Sequence, residues 1–320
     1  MTKSTLASSF CACKSIILRK DYTIMDIQQI ALITYFNTGN FSGISDQEND
    51  DLYNYLTQKG LSVSYQIWDD PAVDWTQFEL IILKSPWDYF DKIDAFYAWL
   101  DKLEQLGCRV LNPVQTVRWN ADKRYLKDVQ DKGMKIVPTM WLEKGSTFSA
   151  DEAFAKLGTE KIIVKPSVSG GAKNTFALNP TDAADKAESI NELLQTESFM
   201  VQPFVNEIQT KGEWSFLFFN GEYSHTVLKT VKPGDFRVQH FFGGTIHTPE
   251  PPAALLEAAH NIVDHFAQNC LYARVDGVEI NGELHLMELE LIEPFLFMAM
   301  SEGALERYYQ AVLEHLQVTA

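Results

Sequence analysis

The sequence predicts an α/β protein: an open α/β layer in the N-terminal third, followed by two α+β units. Three observations predict it. Apolar runs of strand length alternate with helical patterns over residues 26–115, as in parallel strands joined by crossover helices. From Gly212 the chain becomes β-rich, with Asn220-Gly221 marking a hairpin. With 320 residues, 46% hydrophobic and 22% charged, the chain is long enough for two or three subdomains around a sizeable core.

The elements follow in order. "QQIALITYF" (28–36) is continuous enough to be a strand buried on both faces. A Gly/Asn/Ser loop leads to a helix from about Asp46 to Lys59, then the strands "LSVSYQIW" and "FELIILK". A helix over Ile93–Leu106 and the segment "CRVLNP" close this layer, 26–115. The unit 116–200 opens with the short helical linker "VRWNADKRYLKDVQDKG" and the strand "VPTMWL". In "KIIVKPSVSGGAKNTFAL" we read strand, glycine loop and strand, followed by a helix over 182–196 and the strand "FMVQPFV". The unit 201–320 holds the hairpin, the helix "PPAALLEAAHNIVDHFAQNC", the strand pair "YARVDGVEINGELHLMELELIEP" and a final helix. Residues 1–25 are Ser-rich without the unbroken apolar core of a secretory signal, and read as a disordered extension or an upstream start before Met25.

Composition excludes several roles. A formal charge of −16 argues against nucleic acid, whose phosphates call for a basic footprint. No apolar run approaches the roughly 18–20 residues of a membrane helix. Cys11, Cys13, Cys108 and Cys270 are too few and scattered for a disulfide framework, which suits a reducing cytoplasm. An anionic ligand would need local cations or a metal, so Lys/Arg clusters in this acidic chain are informative.

The strongest candidate site lies in "LHLMELELIEP" (284–294). Glu288 and Glu290 share a strand face with Leu284, Leu286 and Ile292 by parity, while Glu293 has the opposite parity and is expected to stand apart. Asp276 and Arg274 lie on one face of the partner strand. Three carboxylates converging there would suit Mg²⁺; a solvated acidic face is the bland alternative. Parity sets a condition. A two-residue turn at Asn281-Gly282 would pair Asp276 with Met287, so a three-residue bulged loop, Ile280-Asn281-Gly282, is expected instead. "KPSVSGGAKNT" offers backbone N–H groups to phosphate or makes a plain turn, and matches neither common phosphate-loop motif. Lys165 ends an apolar strand, where it needs a partner or an exposed end. Lys229 and Arg237 flank a Gly-Asp turn as candidate anion ligands. Trp87 and Asp88 in "KSPWDYF" follow a strand of the first layer, where open sheets place ligand loops; a packed Trp beside a helix-start Asp reads equally simply.

Taken in order, "SPWDYF", "LNPVQTVRWNADKRYL", "VPT", "IIVKPSVSGGAKNT", "MVQPFV", "GEWSF", "LKTVKPGDFRVQHFFGG" and "RVDG…MELELIEP" resemble the ATP-grasp superfamily over about residues 28–310. Within it they look most like the glutathione-synthetase branch that includes the D-cycloserine-forming ligase. The resemblance implies ATP between two α+β subdomains, held by Lys123 and Lys165 and covered by the Ser169-Gly170-Gly171 loop. Gln202, Phe204 and Val205 would line the adenine and Glu213 would take the ribose. Lys229, Arg237 and Arg274 would be the catalytic cations. Asp276, Glu288 and Glu290 would bind two Mg²⁺ ions, with Mn²⁺ able to replace them; Glu290 departs from the family's usual Asn. Trp87 and Asp88 would meet substrate.

The activity implied is ligation of a small-molecule carboxylate to an amine on an amino-acid-like substrate. It would run through an acylphosphate with release of ADP and phosphate, cyclisation being one form. The alternatives are a small-molecule kinase and a nucleotide-binding protein without turnover. No nucleic acid or membrane partner is expected, and a homodimer would be in keeping with similar proteins.

Overall fold

The computed structural model describes residues 29–36, 44–231 and 244–317. The 1–25 extension and Arg237 lie outside the described residues. Strands β1 (Gln29–Thr34), β2 (Ser62–Ile67), β3 (Leu80–Ser85) and β4 (Val110–Leu111) form a parallel sheet in the order β2-β1-β3-β4. Its crossovers include helices α1 (Ile44–Gln58) and α2 (Ile93–Gln105). The inner strands β1 and β3 are largely apolar because both their faces are covered, whereas β2, at the edge of the sheet, carries Ser62, Ser64 and Gln66. Ile30, Leu32, Leu80 and Ile82 pack with Leu52 and Leu56 of α1, and Ala31, Ile33, Ile81 and Leu83 pack with Trp68, Phe96 and Trp99.

The chain continues through α3 (Val114–Asn120) and α4 (Tyr125–Asp131) into a four-stranded antiparallel sheet. Strands β5 (Met140–Leu142), β6 (Ile162–Pro166), β7 (Phe176–Leu178) and β8 (Phe199–Pro203) are arranged β5-β8-β6-β7. Helices α5 (Ala150–Leu157) and α6 (Ala183–Leu194) cover it. The Ser149 hydroxyl accepts from the Glu152 amide at the start of α5, and left-handed Gly158 ends that helix.

A single turn, α7 (Glu207–Thr210), precedes the third sheet. It comprises β9 (Glu213–Phe219), β10 (Glu222–Thr230), β11 (Thr245–His247), β12 (Tyr272–Ile280) and β13 (Glu283–Glu290), all antiparallel, in the order β11-β10-β9-β12-β13. Helix α8 (Ala253–Phe266) packs on one face, and α9 (Ala304–Gln317) joins this sheet to the N-terminal core. No helix among the described residues is long and apolar enough to cross a membrane.

The β12–β13 turn corrects one expectation. It is a tight two-residue turn, Ile280 pairing with Glu283, and Asn281 (φ 53°) and Gly282 (φ 83°) are both left-handed. The bulge lies further along: Asp276 pairs with Glu288 while Gly277 pairs with Leu286, leaving Met287 as the extra residue. The shift also overturns the shared parity of Leu284 and Leu286 with the acids. Leu284 and Leu286 before the bulge, and Leu289 and Leu291 after it, all join the core under α8. Burying those four leucines together requires the inserted residue, and Glu288 and Glu290 therefore fall on the opposite face.

Gly277 faces this bulge closely. A Cβ there would lie 2.7 Å from Leu284 Cδ1 and 2.9 Å from the His285 carbonyl oxygen. Gly277→Ala should therefore destabilise the protein by about 1–3 kcal/mol, the range for overpacking, read as a lower urea midpoint. An unchanged midpoint would show that the strands yield there without strain.

Candidate active site

The register of the third sheet assembles a charged cluster row by row. Ser215 on β9, Asp276 on β12 and Glu288 on β13 are cross-strand neighbours, as are Arg274 and Glu290, and Glu213 and Lys229. Asp276 lies at the centre. Its Oδ1 accepts from Ser215 Oγ (2.6 Å) and Arg274 Nε (3.0 Å), and its Oδ2 from Arg274 Nη2 (2.8 Å) and Lys229 Nζ (3.2 Å). Lys229 also donates to Glu213, and Arg274 to Glu290. Burial works to raise the Asp276 carboxyl, but Arg274 and Lys229 outweigh it and hold the group down to about 2. Burial raises Glu213 despite Lys229. It also works to lower Lys229, whose ammonium is nevertheless kept charged and raised by Asp276 and Glu213.

The central sheet brings two more cations to this face. Lys123, in the turn between α3 and α4, donates to the Ser169 carbonyl (2.6 Å) and pairs with Glu288 Oε1 at 3.0 Å. Lys165, near the end of β6, makes no side-chain hydrogen bond or ion pair among the described residues and is half-buried. Burial lowers its pKa, partly offset by the charge of Glu288. The glycine loop sits above them. Ser169 Oγ donates to the Pro166 carbonyl, Gly171 is left-handed (φ 58°), and a Cβ on Gly170 would meet the Phe90 ring at 2.4 Å. Lys173 of the same loop pairs with Asp91, so the loop touches the N-terminal layer. At the other end, Gln202 Nε2 donates to Thr139 Oγ1 (3.0 Å) and the Lys161 ammonium lies 3.7 Å over the Phe204 ring. Val205 packs with Val137, Val278 and Met287.

With that geometry in view, the comparisons are decisive. Residues 146–302 match the family model of the prokaryotic glutathione synthetase ATP-grasp domain, and residues 30–112 match that of the D-cycloserine synthetase N-terminal domain. The chain is an ATP-grasp protein. It is similar to the cycloserine biosynthesis protein DcsG of Streptomyces lavendulae, with 28% identity over 279 residues, covering 81% of this chain and 90% of that protein. The crystal structure of D-cycloserine synthetase DcsG superposes with a TM-score of 0.74 at 26% identity, covering 90% of this chain and 99% of that one. A D-alanine–D-alanine ligase from Bacillus anthracis complexed with ATP shares the fold, with a TM-score of 0.67 at 17% identity over 91% of this chain and 98% of that one. The chain is accordingly an ATP-grasp enzyme of the ligase class, forming carbon–nitrogen bonds with ATP.

The ATP-grasp site differs from expectation in three respects. The carboxylates of Asp276, Glu288 and Glu290 share a face but do not converge on one point; among the described residues no three His, Cys, Asp or Glu side chains stand ready to hold a metal. Arg274 lies between Asp276 and Glu290, and Lys123 takes Glu288. Secondly, Glu293 does face the cluster: the strand ends at Glu290, so strand parity no longer governs it, and it interacts with Tyr89, Lys123 and Glu288. Thirdly, Trp87 and Asp88 already carry structural bonds. Trp87 Nε1 donates to the Glu293 carbonyl, and Asp88 accepts from Trp68 Nε1 and Lys92. Ser215, Met287 and Lys161 went unread in the sequence, because a lone Ser, Met or Lys on a strand carries no signal without the register.

The donor set suits a hard divalent cation. Every donor is a carboxylate oxygen, and the cluster has more acids than its own cations neutralise: burial and neighbouring carboxylates push Glu290 and Glu293 up to about 8. For Glu293 the consequence is a pH slope. In the unfolded chain the carboxyl releases its proton near pH 4.5, whereas in the folded protein it keeps it to about 8. The folded state therefore binds more protons in that window, and ligand-free stability should fall as pH rises through it. Glu293→Gln, a mimic of the protonated acid, should reduce the dependence of the urea midpoint on pH between 5 and 8, leaving the part due to Glu290. The same slope in this variant would remove Glu293 as its source.

Proposed function

We propose that this enzyme joins a carboxylate to an amine on a small amino-acid-like substrate through an acylphosphate, cyclisation being one form of the reaction. One observation carries this reading. The half-buried Lys165 side chain makes no hydrogen bond or ion pair among the described residues, although it lies near enough to Glu288, Lys123 and Glu213 to feel their charges. A partly desolvated ammonium left without a bonded partner suits an anion, and a nucleotide phosphate between the two sheets would supply it.

In this reading Lys123 and Lys165 hold the ATP phosphates and Ser169, Gly170 and Gly171 cover them. Gln202, Phe204 and Val205 line the adenine, with Met287 on the same apolar wall, and Glu213 takes the ribose. Asp276, Glu288 and Glu290 would hold Mg²⁺, as two ions, which when bound neutralises the phosphate charge. The substrate carboxylate oxygen attacks the γ-phosphorus and the bond to the ADP oxygen breaks. Lys229, Arg274 and Arg237 stabilise the negative charge on the transferring group. The amine then attacks the acyl carbon, phosphate leaves and the amine gives up a proton. Catalysis comes from positioning and charge, with no protein nucleophile. The chain divides functionally into 26–115 for substrate, 116–200 for the phosphate loop and 201–320 for the carboxylates. Trp87 and Asp88 border the substrate from the first of these.

Screening amino acids and amines for ATP-dependent phosphate release tests the reading. ADP and phosphate should form together only when carboxylate and amine are both present, in two molecules or in one. ADP formed with a single acceptor, alongside a stable phosphoproduct, would make the enzyme a kinase. Lys165→Met should lower kcat/KM for ATP by at least about a hundredfold, equivalent to losing roughly 2.7 kcal/mol of transition-state stabilisation.

A further inference from the structure

The segment after β13, residues 293–298, is irregular up to the 3-10 turn that begins at Met298, yet five side chains hold its backbone. Trp87 Nε1 donates to the Glu293 carbonyl (2.9 Å), Lys84 Nζ to that of Pro294 (3.4 Å) and Arg274 Nη1 to that of Phe295 (2.9 Å). The Leu296 carbonyl lies 3.0 Å from His225 Nε2. The two amides that face inward both go to one carboxylate: Leu296 N donates to Glu48 Oε1 (2.8 Å) and Met298 N to Glu48 Oε2 (3.1 Å). Between them Phe297 takes a left-handed conformation (φ 50°), and its ring lies 5.6 Å from the Arg274 guanidinium.

Glu48 is on α1 and Lys84 on β3, both in the N-terminal layer, and the pair is fully inside the protein at 2.9 Å, with 5% and 3% exposure. A buried ion pair is weak evidence of stabilisation, because desolvation offsets its Coulomb energy. Here the carboxylate also does what an apolar pair could not: it fixes two amides two residues apart. We propose that Glu48 is a positioning residue of the ligase site, holding the 293–298 segment so that Arg274 stays aimed at Asp276 and the reacting groups.

The route is short. Glu48 fixes Leu296 and Met298; the segment then presents the Phe295 carbonyl to Arg274 Nη1 and the Phe297 ring to its guanidinium. Those contacts orient the guanidinium while its other nitrogens bind Asp276 and Glu290. A glutamine at 48 has one acceptor oxygen, and its amide nitrogen would face an N–H or the Lys84 ammonium. This assignment rests on the reading that Arg274 serves the chemistry.

The test is a double-mutant cycle on kcat with Glu48→Gln and Arg274→Lys. Glu48→Gln should lower kcat about 10- to 100-fold with KM for ATP within about twofold, and should add little once Arg274 is Lys. Glu48→Asp, which keeps the charge with a shorter reach, should fall between. Additive losses, or an unchanged kcat in folded Glu48→Gln, would overturn the assignment. A wild-type enzyme forming no ADP with any carboxylate–amine pair would refute the ligase reading alone. The same cycle read on thermal midpoints would then decide: non-additive shifts support the coupling of Glu48 to Arg274, and additive shifts reject it.

Discussion

The site depends on one inserted residue, Met287, between β12 and β13. Without it, the leucines of β13 could not all face α8 while Glu288 stands opposite Asp276. The hydrophobic demand of the core and the placement of the carboxylates are thus met by a single register shift. This explains how like charges can be placed side by side on a strand. Arg274 and Lys229 offset Asp276 and Lys123 offsets Glu288, while burial, with neighbouring carboxylates adding to it, raises Glu290 and Glu293.

That arrangement also ties the three sheets together. Lys123 and the Ser169 carbonyl come from the central part of the chain, the acids from the third sheet, and Glu48, Lys84 and Trp87 from the N-terminal layer. The glycine loop touches the N-terminal layer through Phe90 and Asp91. Binding at one sheet therefore bears on groups contributed by the others, as a ligase that must gather ATP, a carboxylate and an amine requires.

Much of this was legible in the sequence, for physical reasons. The inner parallel strands β1 and β3 are continuous apolar runs, and the Asn220-Gly221 dipeptide marks a tight hairpin turn with two left-handed residues. Arg274 and Asp276 were correctly placed on one face, since β12 is regular between them. The position of the bulge was not legible. "LHLMELELIEP" alternates without interruption if Leu284 and Leu286 are counted with Glu288, and only the burial of Leu289 and Leu291 reveals the break. The turn was asked to carry a bulge that the strand interior carries instead. Strand parity does not reach Glu293, because β13 ends at Glu290. The roles of Glu48 and Lys84 depend on partners more than 200 residues away, which no local pattern encodes.

If the Met287 bulge makes Asp276 and Glu288 joint holders of metal-bound nucleotide, the two carboxylates should act as one unit in binding. Calorimetric ATP affinity, with and without Mg²⁺, tests it most directly in the wild type, Asp276→Asn, Glu288→Gln and the double variant. Binding should depend on Mg²⁺ and weaken at least about tenfold with each substitution, equivalent to roughly 1.4 kcal/mol, with the double variant little worse than either single one. Binding indifferent to Mg²⁺, or losses that simply add, would contradict it.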